Sequence, residues 1–185
     1  ITLFISLLML SMTSVASAQG RKISVVTFPP EMDVKGTSLF FNGCGLREKY
    51  TLDLYVAGLY LNKPTMDAKK VINTDAAQAI KIVIVSSKVT RDKFNESVKE
   101  GFANAAPYSA TPAQIKSFKS FFAAPFKVND EINMIYKPGK GTLVTINGQF
   151  KGIIKGLPFK KALFAIWLGN KPAQNKLKKG MMGQI

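Results

Sequence analysis

The sequence predicts an α+β protein: an antiparallel β-sheet with helices packed on one face. Three observations carry that expectation. Strand-like and helix-like segments come in blocks rather than in β-α-β alternation, which favours an antiparallel sheet with segregated helices. Asn147-Gly148 separates two β-rich runs, and a two-residue loop that needs positive φ at both central positions joins antiparallel strands. The ten residues Leu52–Leu61 carry one charge, Asp53, so the segment reads as a strand covered on both faces and lying inside the sheet.

Residues 1–12 (ITLFISLLMLSM) are an uncharged apolar run, followed by small residues ending Ala16-Ser17-Ala18. This is the core and cleavage end of a secretory signal peptide, too short to span a bilayer comfortably. Cleavage near Ala18 and a periplasmic or secreted protein are expected, with residues 19–185 forming one domain. Lys plus Arg total 26 against 11 Asp plus Glu, a net charge of +15. An exported chain seldom meets nucleic acid, so the expected partners are an amphipathic small anion and an anionic membrane surface, and most of the charge serves solubility. A monomer is expected. The absence of histidine excludes His-based triads and imidazole acid-base chemistry. The one cysteine, Cys44, forms no intramolecular disulfide and reads as a small buried residue. No metal site and no cofactor are expected.

In chain order, residues 23–28 read as a short strand broken by Pro29-Pro30. Residues 39–41 form a second strand leading into a bend at 43–45, with Arg47 just beyond it. Alternation along the long strand puts Leu52, Leu54, Val56, Gly58 and Tyr60 on one face and Asp53, Tyr55, Ala57, Leu59 and Leu61 on the other. A charged guanidinium beside such a strand needs an anion or a hydrogen-bonded niche. Residues 67–73 read as a short helix and 79–85 as a β-branched strand. Thr90, with Asp92 in the first turn, starts a helix whose apolar stripe is Phe94, Val98, Phe102 and Ala105. Thr111-Pro112-Ala113-Gln114 starts another with a capping box, and gives it the aromatic face Ile115, Phe118, Phe121 and Phe122.

Residues 131–136, 142–146 and 149–154 form a three-stranded meander. Gly139-Lys140-Gly141-Thr142 is not a phosphate-binding loop, because Met134 stands where such a loop needs glycine and a strand follows instead of a helix. The last main helix begins at 157, with Phe159, Ala162, Leu163, Ile166 and Trp167 on one face and Gly169-Asn170 ending it. A basic helix over 173–179 closes the chain.

Three motifs carry a resemblance. N-G-x-G-L-R-E-K-Y-x-L-D-L-Y-V-A-G-L-Y-L from Asn42, Y-K-P-G-K-G-T-x-V-x-I-N-G from Tyr136 and A-L-x-x-I-W-L-G-x-x-P-x-x-x-x-L-K-x-x-x-x-G from Ala162 resemble the bacterial chalcone isomerase-like proteins over nearly the whole mature chain. The resemblance implies the chalcone isomerase fold: a large antiparallel β-sheet with helices packed on one face, an open-faced β-sandwich, with an apolar cleft between sheet and helices. Plant chalcone isomerases hold the substrate phenolate on an arginine, aided by a threonine, a tyrosine, an asparagine and a late Thr/Ser. Carried over, the arginine corresponds to Arg47, the threonine falls at Tyr55, the tyrosine and asparagine near Phe94 and Gly101, and the late Thr/Ser near Ile166. Four of the five polar positions are thus replaced, and no general acid or base stands near the anion site except a tyrosine. The fatty-acid-binding relatives of the plant enzymes hold a carboxylate with an arginine and a tyrosine. Arg47 with Tyr55 or Tyr60 is suited to that role, with Phe94, Phe102, Phe118, Phe122, Ile166 and Trp167 as wall for an acyl chain.

Three readings follow. The first is an exported, non-catalytic binder of a fatty acid or similar amphipathic anion. The second is an intramolecular lyase or isomerase acting on an unsaturated phenolic or carbonyl compound, with Arg47 as its catalytic residue stabilising an oxyanion. The third is a structural envelope protein whose arginine is engaged by an internal carboxylate such as Glu48 or Asp53.

Overall fold

The computed structural model describes residues 21–23 and 26–185. The leader expected over residues 1–18 lies outside the described residues. The segment expected as one strand over 23–28 is instead a small antiparallel ribbon of β1 (Arg21–Ile23) and β2 (Val26–Phe28).

Seven further strands form one antiparallel sheet in chain order: β3 (Glu31–Asp33), β4 (Ser38–Lys49), β5 (Leu52–Leu61), β6 (Gln78–Ile84), β7 (Glu131–Lys137), β8 (Gly141–Ile146) and β9 (Gln149–Ile154). The helices are α1 (Ala68–Asn73), α2 (Arg91–Ala103), α3 (Pro112–Ser120), α4 (Leu157–Leu168) and α5 (Asn175–Met181). Thr90 caps α2, and Thr111 with Gln114 closes the expected capping box on α3. The turn at Asn147-Gly148 has φ of 51° and 77°, the left-handed pair a two-residue hairpin demands.

Strand β5 lies between β4 and β6 and serves two cores, which is why it is apolar on both faces. Ala57, Leu59 and Leu61 join the helix-side core with Phe94, Phe102 and α4, while Val56 and Tyr60 join a second core with Phe28, Leu39 and Cys44. Helix α4 is buried on nearly every side. It carries Lys160, fully buried, whose Nζ donates to the carbonyls of Val71 (2.7 Å), Ile72 (3.0 Å) and Thr74 (2.9 Å) at the C-terminal end of α1. Those carbonyls have no partner inside their own helix, so Lys160 caps α1 from another element. Burial pushes its ammonium down, to about 7, and the neighbouring Lys161 charge acts the same way.

Two expectations about the stretch around Arg47 are corrected. The stretch 43–45 does not end the strand; β4 continues through it, with a register shift at Asn42 just before. The glycines are there because α5 lies directly on the strand. A Cβ on Gly43 would come within 2.3 Å of the Gly180 carbonyl oxygen, and one on Gly45 within 2.6 Å of that of Leu177. Gly180 answers from the helix, where a Cβ would stand 2.4 Å from the Cys44 carbonyl oxygen. Backbone approach of this kind has no room for side chains.

The strict alternation expected along β5 also fails at one point. Arg47 pairs with Tyr55 and Glu48 with Asp53, so Leu54 is an extra residue in β5. Such a β-bulge re-aims side chains, and both Leu54 and Tyr55 now pack against the helix-side core.

Candidate functional site

At this bulged end of β4 and β5, facing α2 and the C-terminal end of α4, lies a cleft of about 470 Å³. That volume falls within the roughly 300–1,000 Å³ of small-molecule pockets. Its inner wall is apolar: Leu54 from the bulge, Phe94 and Val98 from α2, Ile166 and Trp167 from α4. A smaller hollow of about 270 Å³ beside Tyr108 and Lys161 is open and holds no comparable set of groups.

Arg47 and Tyr55 are directly opposite across the β4–β5 ladder and both line the cleft. Arg47 is half-buried, and its Nη1 donates to the backbone carbonyl of Glu48 and to the Gln174 side-chain oxygen at 3.4 Å. The same Gln174 oxygen accepts the Glu48 N–H at 2.9 Å. Gln174 is the N-cap residue of α5, so the docking of α5 on the paired glycines sets the position of the guanidinium. Among the described residues no carboxylate lies within ion-pair distance of Arg47. Glu48 pairs with Lys176 at 3.1 Å, and Lys81–Glu131 and Arg91–Asp92 are further ion pairs among the described residues.

Tyr55 accepts a hydrogen bond from Trp167 Nε1 at 3.0 Å. With a lone pair engaged by the indole, the phenol proton is left to point elsewhere. The ring keeps some exposed surface, yet protein atoms surround it closely because it sits in a concavity. Burial therefore raises its pKa above the ordinary tyrosine value, with Trp167 and then Arg47 acting in the opposite direction. At neutral pH the group is a phenol and a hydrogen-bond donor.

The five positions singled out from the sequence through the isomerase pattern, Arg47, Tyr55, Phe94, Gly101 and Ile166, all line this one cleft. A side chain at Gly101 would meet Ile166 Cγ2 at 2.7 Å. Glycine on α2 and isoleucine on α4 are therefore matched to each other, and the isoleucine fills the space an asparagine at 101 would need. Among the other expected site residues, Trp167 lines the cleft, but Tyr60, Phe102, Phe118 and Phe122 do not. Tyr60 is on the opposite face of β5, buried, with its hydroxyl donating to the Pro29 carbonyl at 3.0 Å. Phe102 packs on Phe118 and Phe159, and Phe122 lies against Phe94 with ring centroids 4.7 Å apart. These three back the cleft wall from within the core.

Gln174 and Leu54 escaped sequence reasoning. Gln174 is 127 residues from Arg47 and carries no local signal, and nothing in an apolar strand marks which residue will bulge.

A search of curated protein sequences finds no match. In fold, the chain is similar to the crystal structure of a fatty-acid binding protein from Arabidopsis thaliana. The TM-score is 0.68 at 21% identity, over 85% of this chain and 91% of that one. Residues 20–183 match the family described as chalcone isomerase-like, and with the antiparallel sheet, the helices over one face and the cleft between them, the chain belongs to the chalcone isomerase-like family.

Proposed function

We propose that the protein is a non-catalytic binder of a fatty acid or a similar amphipathic monoanion, with the carboxylate at Arg47 and Tyr55 and the acyl chain along the Leu54, Phe94, Val98 and Ile166 wall. The observation that carries this reading is an arginine in an apolar cleft with no carboxylate partner among the described residues, facing a phenol whose own acceptor side is already engaged. Guanidinium and phenol both donate, which suits an anion. The same pair is poorly suited to proton transfer, because a phenol held above its ordinary pKa stays protonated at neutral pH, where it cannot accept a proton and is a poor acid. The structural-protein reading required an internal carboxylate on Arg47, and Glu48 is committed to Lys176 instead. The Arabidopsis neighbour is named for binding fatty acids, which makes that ligand class the first to test.

The test is to purify the protein, denature it and identify released small molecules by mass spectrometry, beside an Arg47→Ala variant. Fatty acids released by wild type and reduced about 10- to 100-fold in the variant, the worth of a charge-assisted hydrogen bond, are expected. An empty wild-type protein that also binds no added fatty acid refutes the reading. Export to the periplasm or exterior belongs to the same proposal, supported by the leader-like residues 1–18. N-terminal sequencing of the mature chain should begin at Gln19.

A further inference from the structure

The mouth of the cleft differs in character from its wall. Five cationic side chains line the cavity, Arg47 within and Lys49, Lys88, Lys93 and Lys171 around it, against two carboxylates, Glu96 and Glu100. These lysines come from three separate places in the chain: the β4–β5 turn, the start of α2 and the loop after α4. At the same mouth the turn presents two apolar side chains to solvent, Tyr50 at 91% and Leu52 at 44% exposure. Tyr50 has φ of +56°, a left-handed conformation that asparagine or glycine adopts more readily. A bulky aromatic is therefore held, at some cost in backbone energy, on the tip of a hairpin.

We propose that this rim is a docking surface for an anionic phospholipid bilayer, with Tyr50 and Leu52 entering the headgroup region and the four lysines meeting lipid phosphates, so that the cleft opens onto the membrane. An aromatic and an aliphatic residue flanked by lysines match an interface that is apolar below and negatively charged above. Lysines supply the charge on flexible stems that reach headgroups without a fixed partner. Among the described residues no helix is long and apolar enough to cross a membrane, and the contact proposed for this rim is peripheral. The arrangement places a proposed acyl-chain site against a source of acyl chains, yet the docking is read independently of whatever the cleft holds.

The test is co-sedimentation with phosphatidylcholine vesicles, with and without about one-third phosphatidylglycerol, at rising salt. Binding only to the anionic vesicles, weakening with salt, is expected. At about fivefold per lysine, the triple variant Lys88→Glu, Lys93→Glu, Lys171→Glu should lose about a hundredfold or more in partitioning. A charge-matched variant elsewhere on the surface, Lys116→Glu, Lys140→Glu, Lys151→Glu, should stay within a few-fold of wild type. Tyr50→Asn with Leu52→Thr, which keeps a residue tolerant of the turn geometry, should lose about tenfold or more. No vesicle binding by wild type overturns the proposal. Equal loss in the two triple variants also overturns it, by reducing the effect to net charge. A wild-type protein that binds anionic vesicles but neither releases nor takes up fatty acid would refute the cleft reading alone.

Discussion

Replacing Lys160 with methionine, a side chain of similar length, removes from the interior both a cation and its three hydrogen bonds. Lys160→Met leaves the Val71, Ile72 and Thr74 carbonyls without their donor. An orphaned buried acceptor costs about 1–3 kcal/mol. Against this, the variant no longer has to bury an ammonium, a penalty of several kcal/mol in proteins. A net loss of about 2–3 kcal/mol near pH 6 is expected. The pH dependence is a sharper test. Burial lowers the folded-state pKa from 10.5 to about 7, so between those values the unfolded chain binds more protons than the folded one. Folded-state stability then rises with pH, by up to about 1.4 kcal/mol per pH unit. Urea denaturation of wild type and Lys160→Met should therefore show a gap that is constant below pH 7 and widens by roughly 2–3 kcal/mol by pH 9. The subtraction removes what the two proteins share, including the lowered Lys178. A gap that stays constant from pH 6 to 9 refutes the reasoning, because it means that the carbonyl cage keeps the ammonium charged. Equal stability at every pH refutes the capping role itself.

Three further outcomes follow from the same structure. Gly180→Ala, a change that on an exposed helix would stabilise by about 1 kcal/mol, should here destabilise by about 1–3 kcal/mol in urea, because its Cβ lands 2.4 Å from the Cys44 carbonyl oxygen. It should also weaken anion binding by moving Gln174 away from Arg47. Because burial keeps the Tyr55 phenol protonated, fatty-acid affinity measured by displacement should be flat from about pH 7 to 9, while Tyr55→Phe loses about 5- to 10-fold throughout that range; a wild-type affinity that falls across this interval would show the phenol ionising. Affinity should climb about fourfold per added methylene, at about 0.8 kcal/mol each, until the 470 Å³ cleft is filled, and then level off; no dependence on chain length would place the ligand outside the cleft.

The fold was legible because its signals are local. Thr90, the Thr111–Gln114 box and Asn147-Gly148 each announce an element boundary within four residues, and the structure places caps and turn there. The doubly apolar β5 likewise implied cover on both faces. What failed was where one element's shape is decided by another. The glycines at 43 and 45 read as a bend because glycine permits one, whereas their cause is a helix some 130 residues later in the chain lying on the strand. The bulge at Leu54 reverses the facing of one residue, and it is set by pairing with β4 rather than by any residue type. The aromatic wall was over-predicted for a related reason: Phe94 and Phe122 are in ring contact, but only the first is on the cleft side, and periodicity on two separate helices cannot order residues by depth. Lys160, in a sequence with many lysines, gave no sign that it would be buried.

Lys160 and Arg47 together show why one buried cation is structural and the other is assigned a ligand. Lys160 is on α4 near its start, Arg47 lies in the cleft at its other end, and both are removed from bulk water to some degree. Lys160 has three donors and three acceptors within 3.0 Å, at zero exposure, so its demand is met and no ligand could reach it. Arg47 is half-exposed in a cavity, and its hydrogen bonds are to a backbone carbonyl and one amide oxygen, both on the same nitrogen, Nη1. A guanidinium has five N–H donors in a planar fork, so most of its donors and its formal charge remain unanswered among the described residues. An apolar wall on one side and Tyr55 on the other limit how well water can answer them instead. An amphipathic anion meets both deficits at once, with its carboxylate at the guanidinium and its chain against Phe94 and Ile166, and a neutral or fully polar ligand meets only one.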